Sequence, residues 1–112
     1  MHRFRTPLTR WFVLLAAILL SISLLPSQPV YAAAITVNTS ADTVSTDGLC
    51  SLREAIANAN NDAATYIDCT AGSGADTISF SGVVTPINIS TELLISSDIT
   101  FNGTGITVDN TG

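Results

Sequence analysis

The sequence predicts a mostly β fold in which short strands repeat along the chain after a single short helix. Three observations predict it. Apolar and polar residues alternate in runs of three to four, one segment has the apolar spacing of a helix, and the pentapeptide ISFSG at residues 78–82 recurs 21 positions later as ITFNG. Short strands, tight corners and a period near twenty are typical of a β-solenoid, whose coils bury apolar side chains by stacking on one another.

The first thirty or so residues carry the three parts of a secretory signal peptide. Arg3, Arg5 and Arg10 form a basic start, residues 11–25 are an uncharged apolar run, and the segment VYA ends at Ala32. The apolar run is shorter than the roughly 20 residues that cross a bilayer. We therefore predict a signal peptide over residues 1–32, cleaved after Ala32 or alternatively after Ala34, and a secreted or cell-surface protein without stable membrane insertion. An uncleaved membrane anchor is the alternative.

Cleavage would leave a strongly acidic chain. The segment 33–112 contains nine acidic side chains and one basic side chain, Arg53, for a formal net charge of −8. A surface of this sign repels phosphate backbones, which excludes nucleic acid as a partner and makes anionic lipid a poor one. A chain of this size has a marginal core without covalent staples or neighbours.

Two cysteines remain after cleavage, Cys50 and Cys69. In an exported protein, a small even number of cysteines favours a disulfide bond, and two cysteines allow one pairing. Closing a loop of that length would stabilise the fold by roughly 3 kcal/mol in the chain-entropy model. Two buried thiols are the alternative.

A helix is predicted over about residues 52–60. Ser51 and Glu54 have the spacing of a capping box, in which each side chain binds the backbone N–H of the other residue. The apolar residues that follow share one helical stripe. They are Leu52, Ala55, Ile56 and Ala59. The asparagines at 58, 60 and 61 lie off this stripe and weaken the end of the helix.

The other elements are predicted as short strands separated by loops rich in Ser, Thr, Asp and Gly. Their predicted positions are residues 35–38, 77–80, 87–89, 93–95, 99–101 and 106–108, with a further short strand around residues 43–44. The sequence repeat places Ile78 beside Ile99, Phe80 beside Phe101, and Ile87 beside Val108.

The string CSLREAI at residues 50–56, followed by AN at residues 59–60, is specific. With ITV at residues 35–37 and GADTISF at residues 74–80, it resembles the CSLREA-type N-terminal domain of exported bacterial proteins built on a right-handed parallel β-helix. The resemblance implies an N-terminal cap over residues 33–76 and the first one to two β-helix coils over residues 77–112. It also implies that the apolar helix stripe plugs the first coil, and that the cysteine pair pins the helix start to the loop entering that coil. Proteins of this family usually continue for many coils, so we expect a fragment of a longer chain.

The residue types argue against catalysis. The mature chain has no His or Lys, and bridged cysteines cannot act as nucleophiles, so the usual general bases and nucleophiles are missing. Asp76 and Asp98 do not have the spacing of the repeat and would face different directions. The acids in the loop at residues 42–48 do not have the spacing of an EF-hand. We therefore predict no catalytic, metal or cofactor site, and a structural ion pair for Arg53 with Asp76 or Asp47.

These observations favour a structural or adhesive capping module, joined to the rest of a longer β-helix chain. Its possible external partner is an extracellular carbohydrate or protein surface. The alternative from another class is the leading fragment of a carbohydrate-active β-helix enzyme, a polysaccharide lyase or glycoside hydrolase. A third hypothesis is a small stand-alone secreted domain that closes its open end by dimerising.

Overall fold

The computed structural model describes residue 26 and residues 29–112 of the chain. The basic start and apolar run of the predicted signal peptide lie outside these residues. The described part is mostly sheet, with one short helix. Its elements are β1 (Ala34–Val37), α1 (Leu52–Asn61), β2 (Asp76–Phe80), β3 (Ile87–Ile89), β4 (Ile99–Asn102) and β5 (Val108–Asn110).

All strand pairs are parallel, and the strands form two sheets. One sheet has the order β1-β2-β4, and the other consists of β3 and β5. Parallel neighbours cannot be joined by a tight hairpin, so the chain must leave one sheet and return to it. It leaves the larger sheet after β2, which leads to β3, and again after β4, which leads to β5. From β2 onward, successive strands therefore alternate between the sheets.

The core lies between α1 and the inward faces of both sheets. Ile35 and Val37 alternate with exposed residues along β1 and are completely buried, as a strand with one covered face requires. Ile35 lies beside Ile78 of β2, and Ile78 lies beside Phe101 of β4. The helix packs against β1 and β2, where its apolar stripe joins the same buried cluster.

The predicted register is correct in one sheet and wrong in the other. Ile87 lies beside Val108, as the sequence repeat predicts. In the larger sheet, however, Asp76 lies beside Ile99 and Ile78 beside Phe101, so the predicted pairs Ile78–Ile99 and Phe80–Phe101 are not formed. Between paired positions, the path from Phe101 to Val108 is two residues shorter than the path from Ile78 to Ile87, which accounts for the difference. A shift of two keeps the same side chains inward, because strand side chains alternate with a period of two.

Two predicted strands are absent from the described residues. Residues 93–95 do not pair, because the carbonyl of Leu94 is bound by the Asn60 side chain. Residues 43–44 form a loop whose Thr43 carbonyl accepts from the Ser51 hydroxyl. The last predicted strand begins later, at Val108, because the Ile106 N–H closes a turn on the Gly103 carbonyl.

Candidate functional site

The helix α1 is the centre of the described structure because its apolar stripe packs against the sheets and its two polar flanks hold three loops. Its apolar stripe faces the sheets: Ala55 and Ala59 are completely buried, and Leu52 and Ile56 are 4% exposed. Glu54 and Asn58 are four residues apart and lie on one flank. Arg53 and Asn60 are seven residues apart and lie on the other, as the helical period dictates.

The Glu54 flank holds the loop that enters the helix, residues 38–51, called the entry loop below. The predicted capping box is confirmed: the Glu54 N–H donates to the Ser51 hydroxyl at 3.2 Å, and the Ser51 N–H donates to Glu54 Oε2 at 3.0 Å. The second carboxylate oxygen accepts from the Ser45 N–H at 2.8 Å. Glu54 is 1% exposed, so it ties the middle of the entry loop to the first helical turn. Sequence reasoning missed this third contact.

Asn58 holds the next loop, residues 62–75, called the cystine loop below. Its Nδ2 donates to the carbonyls of Tyr66, Cys69 and Thr70, and its Oδ1 accepts from the Tyr66 N–H at 2.7 Å. The side chain is completely buried. Asn58 therefore holds the cystine loop, a contact that sequence reasoning missed. Two features of the sequence could have indicated this contact: Asn58 lies beside the apolar stripe, and the disulfide brings the cystine loop close to the helix.

The disulfide bond between Cys50 and Cys69 is present, with a sulfur–sulfur distance of 1.93 Å. It joins the last residues of the entry loop to the cystine loop, and both cysteines are buried. Gly72 lets the same loop lie directly against the helix, because a Cβ there would overlap the Asn58 carbonyl. A disulfide bond is compatible with an extracellular location.

The Arg53 flank holds the loop that follows β3, residues 90–98, called the return loop below. Arg53 makes its ion pair with Asp42, with Nε 2.8 Å from Oδ1 and Nη2 2.9 Å from Oδ2. The partners expected from the sequence, Asp76 and Asp47, are therefore wrong, because the entry loop brings Asp42 to the helix instead. Arg53 also donates to the carbonyls at residues 91 and 92.

Asp42 extends this contact, since its Oδ2 also accepts from the Ser90 N–H and hydroxyl. The Arg53 guanidinium is the main cause that lowers the pKa of Asp42 below its usual value, and the Ser90 donors add to it against the opposing effect of burial. Hydrogen bonds to Asp42 raise the pKa of Arg53. Asn60 completes the flank by donating to the Leu94 carbonyl and accepting from the Ser96 N–H.

An apolar groove of about 280 Å³ lies beside β4 and β5, where the sheets are open. Its lining residues come from the helix, from both sheets and from the return loop, and include Leu52, Ile56, Phe80, Leu93, Phe101 and Val108. Ile78 of β2 and Phe101 of β4 occupy the same inward position in neighbouring strands, but Ile78 is completely buried and Phe101 is 44% exposed. Likewise, the completely buried Ile87 lies beside Val108, which is 42% exposed.

Two acidic side chains, one in the entry loop and one in the cystine loop, bind backbone N–H groups of the entry loop. Asp68 Oδ2 accepts from the N–H groups of Asp47 and Gly48, and the Ser45 hydroxyl is the main cause that lowers the pKa of Asp47. Asp47 closes a turn in the entry loop, and Asp68 links that loop to the cystine loop. Among the described residues, no group of three or more acidic, His or Cys side chains is placed to hold a metal ion. Asp76 and Asp98 are linked only through their backbones, by the Asp76 N–H and the Asp98 carbonyl.

Over residue 26 and residues 29–112, no helix has the length and apolarity needed to cross a membrane. No family model matches the chain, and no curated protein or solved structure is significantly similar to it.

Proposed function

We propose that this chain is the N-terminal capping module of a secreted or cell-surface protein built on a parallel β-helix, with a structural role and no catalysis of its own. The observation that carries the proposal is the asymmetry of the two sheets. On one side, α1 packs against β1 and β2 and its flanks hold three loops. On the other, open side, β4 and β5 are the last strands of their sheets, beside an apolar groove.

The open side supports the continuation of the same architecture. Strand edges with free backbone groups tend to pair with further chain, and an exposed apolar groove marks a surface that is covered in the working protein. Phe101 continues the ladder of Ile35 and Ile78, and Val108 continues the one that Ile87 begins. A further parallel coil would bury both side chains and would supply the missing strand partners.

The acidic charge and the disulfide bond support an exported location, together with the signal-peptide pattern of residues 1–32. The residue types left after cleavage support a structural role, since they include one Arg and no His or Lys. The ligand or surface that the whole protein contacts would then be recognised by coils that follow this module.

The gene downstream of the Gly112 codon is the first test. We expect an in-frame continuation with one apolar inward residue after Phe101, at the spacing that separates Ile78 from Phe101. A second should follow Val108, at the spacing that separates Ile87 from Val108. A stop codon directly after Gly112, together with a monomeric and cooperatively folding product, would overturn the proposal.

The second test is a pair of adjacent substitutions in that longer protein. Phe101→Asp places a charge where the next coil would stack, and we expect it to lower the free energy of unfolding by about 3 kcal/mol or more. Thr100→Asp is the matched control on the opposite face of β4, and we expect a change within about 0.5 kcal/mol. Equal effects of the two variants in urea unfolding would contradict an inward position for Phe101.

A further inference from the structure

Asp76 is a buried carboxylate without a side-chain cation in its hydrogen bonds. It is 1% exposed at the start of β2. Its donors are backbone groups: the Ser73 N–H lies 2.9 Å from Oδ1 and 3.2 Å from Oδ2, and the Ala33 N–H lies 2.9 Å from Oδ1. Burying a carboxylate is costly unless a charge compensates it. Arg53 is the one basic residue in residues 33–112, and it is bound to Asp42.

The nitrogen that contacts Asp76 belongs to the residue directly after the predicted cleavage site. Ala33 is held in place because its carbonyl accepts from the Thr77 N–H at 2.9 Å and because β1 begins at the next residue. Ala33 also packs against the buried core. By contrast, Val30 and Tyr31 are 73% and 78% exposed. Of these residues, Ala33 is the one that packs against the buried core.

We propose that cleavage after Ala32 turns the N-terminus of the mature chain into an internal cation, in which the ammonium of Ala33 forms an ion pair with the buried carboxylate of Asp76. The inference rests on the export proposed above. Hydrolysis of the bond between Ala32 and Ala33 consumes one water. The Ala32 carbonyl carbon keeps the hydroxyl oxygen and leaves as a carboxylate, and the Ala33 nitrogen gains protons to become an ammonium.

The alternative cleavage site gives a different structure. Cleavage after Ala34 would remove both the nitrogen that donates to Asp76 and the carbonyl that accepts from Thr77. It would also remove the first residue of β1. Asp76 would then keep only Ser73 as a donor. The geometry therefore favours Ala33 over Ile35 as the first residue of the mature chain.

The other titratable groups near this pair are few. β1 and residues 70–75 carry no titratable side chain. Asp98 precedes β4 and is exposed, and its backbone carbonyl accepts from the Asp76 N–H. Asp62 is also exposed, and its Oδ1 accepts from the Gly74 N–H. An ion pair with Asp76 would raise the pKa of the Ala33 amine, because the carboxylate favours the charged form. The resulting stability would be full below the pKa of the unfolded chain and lost as the pH rises through the higher pKa of the folded chain.

The test uses the exported protein purified from its secreting host. Its first residue is read by N-terminal sequencing. The amine is then acetylated selectively, which keeps the N–H donor but removes the charge. Residues 33–112 contain no Lys, so the α-amino group is the one amine of this segment. We expect Ala33 as the first residue. We also expect acetylation of the folded protein to be at least about tenfold slower at pH 7 than in denaturant, and to lower the folding equilibrium constant about tenfold, the effect of one pKa unit.

Asp76→Asn is the matched variant, because it keeps the shape and an acceptor oxygen. In it, acetylation should no longer change the folding equilibrium. Should this variant fail to fold, the acetylation rate of the wild-type protein measured against pH gives the pKa of the amine directly, with Asp98→Asn as the control. Unchanged stability after acetylation, together with an amine that titrates as in the denatured chain, would overturn the ion pair and leave export intact. Ile35 as the first residue would overturn it in the same way. A retained signal sequence would overturn the export as well.

Discussion

Replacing Asn58 with alanine tests whether the helix holds the cystine loop through this one side chain. The substitution removes four hydrogen bonds: three from Nδ2 to the carbonyls of Tyr66, Cys69 and Thr70, and one to Oδ1 from the Tyr66 N–H. The bridge between Cys50 and Cys69 stays in place. Any loss of stability therefore measures the asparagine contacts rather than the covalent link.

The magnitude follows from which partners water can reach after the substitution. Thr70 is exposed, so its carbonyl can bind water instead, and the Tyr66 carbonyl still accepts from the Cys69 N–H at 3.3 Å. The carbonyl of Cys69, which is 6% exposed, and the N–H of Tyr66, which is partly buried, are left without a partner. A buried group left without a partner costs about 1–3 kcal/mol. The cost of two such groups is reduced by about 0.5 kcal/mol, because alanine has the better helix propensity. We therefore expect the substitution to lower the free energy of unfolding by about 3 kcal/mol.

Asn61→Ala is the matched control, since it changes the same residue type on the same helix. Asn61 is exposed and makes one side-chain hydrogen bond, to the Thr65 hydroxyl at 2.9 Å. We expect an effect within about 0.5 kcal/mol. Urea unfolding can be followed by the fluorescence of Tyr66, the one tyrosine in residues 33–112. Equal unfolding midpoints for the Asn58 and Asn61 variants would refute the argument.

Two further predictions use other contacts of the helix. Gly72→Ala should lower the free energy of unfolding by more than about 3 kcal/mol, because its Cβ would overlap helix backbone. Gly82→Ala, with a positive φ but open space, should cost only about 1–2 kcal/mol, and thermal unfolding that ranks them in the opposite order would contradict the clash. Asp42→Asn should lose stability at neutral pH. The difference in the free energy of unfolding from wild type should vanish as the pH falls below 3.8, the ordinary pKa of Asp, and through the lowered pKa of Asp42 in the folded state. A difference that persists at about pH 2 in urea titrations would contradict the ion-pair origin.

Local features of the fold were predictable because they depend on neighbours in the chain. The capping box needs only Ser51 and Glu54 three residues apart, and the helix was predicted within one residue of its observed end at Asn61. The disulfide was predictable because two cysteines allow one pairing. The strands at residues 77–80, 87–89 and 99–101 were located by their alternation, with shifts of one residue at their ends.

Features that depend on the path of a loop were not predictable in this way. Nine acids were available to the one arginine of residues 33–112, and charge alone does not choose among them. Asp42 pairs with Arg53 because the path of the entry loop places Asp42 between the helix and Ser90. The register between β2 and β4 was missed for a related reason. A sequence repeat measures distance along the chain, whereas strand register depends on how many residues each corner uses.

The sequence by itself determined the helix, its cap, its apolar stripe and the disulfide pairing. It also determined which residues of each strand face inward. These features follow from short spacings along the chain and from the period of each element. Only the tertiary structure decided that both polar flanks of the helix bind loops, since those loops arrive from up to 39 positions away. The tertiary structure also decided that Asp76 lies against the backbone nitrogen of Ala33, 43 positions earlier. Contacts of that kind depend on parallel strand pairing, which brings together residues that share no local pattern.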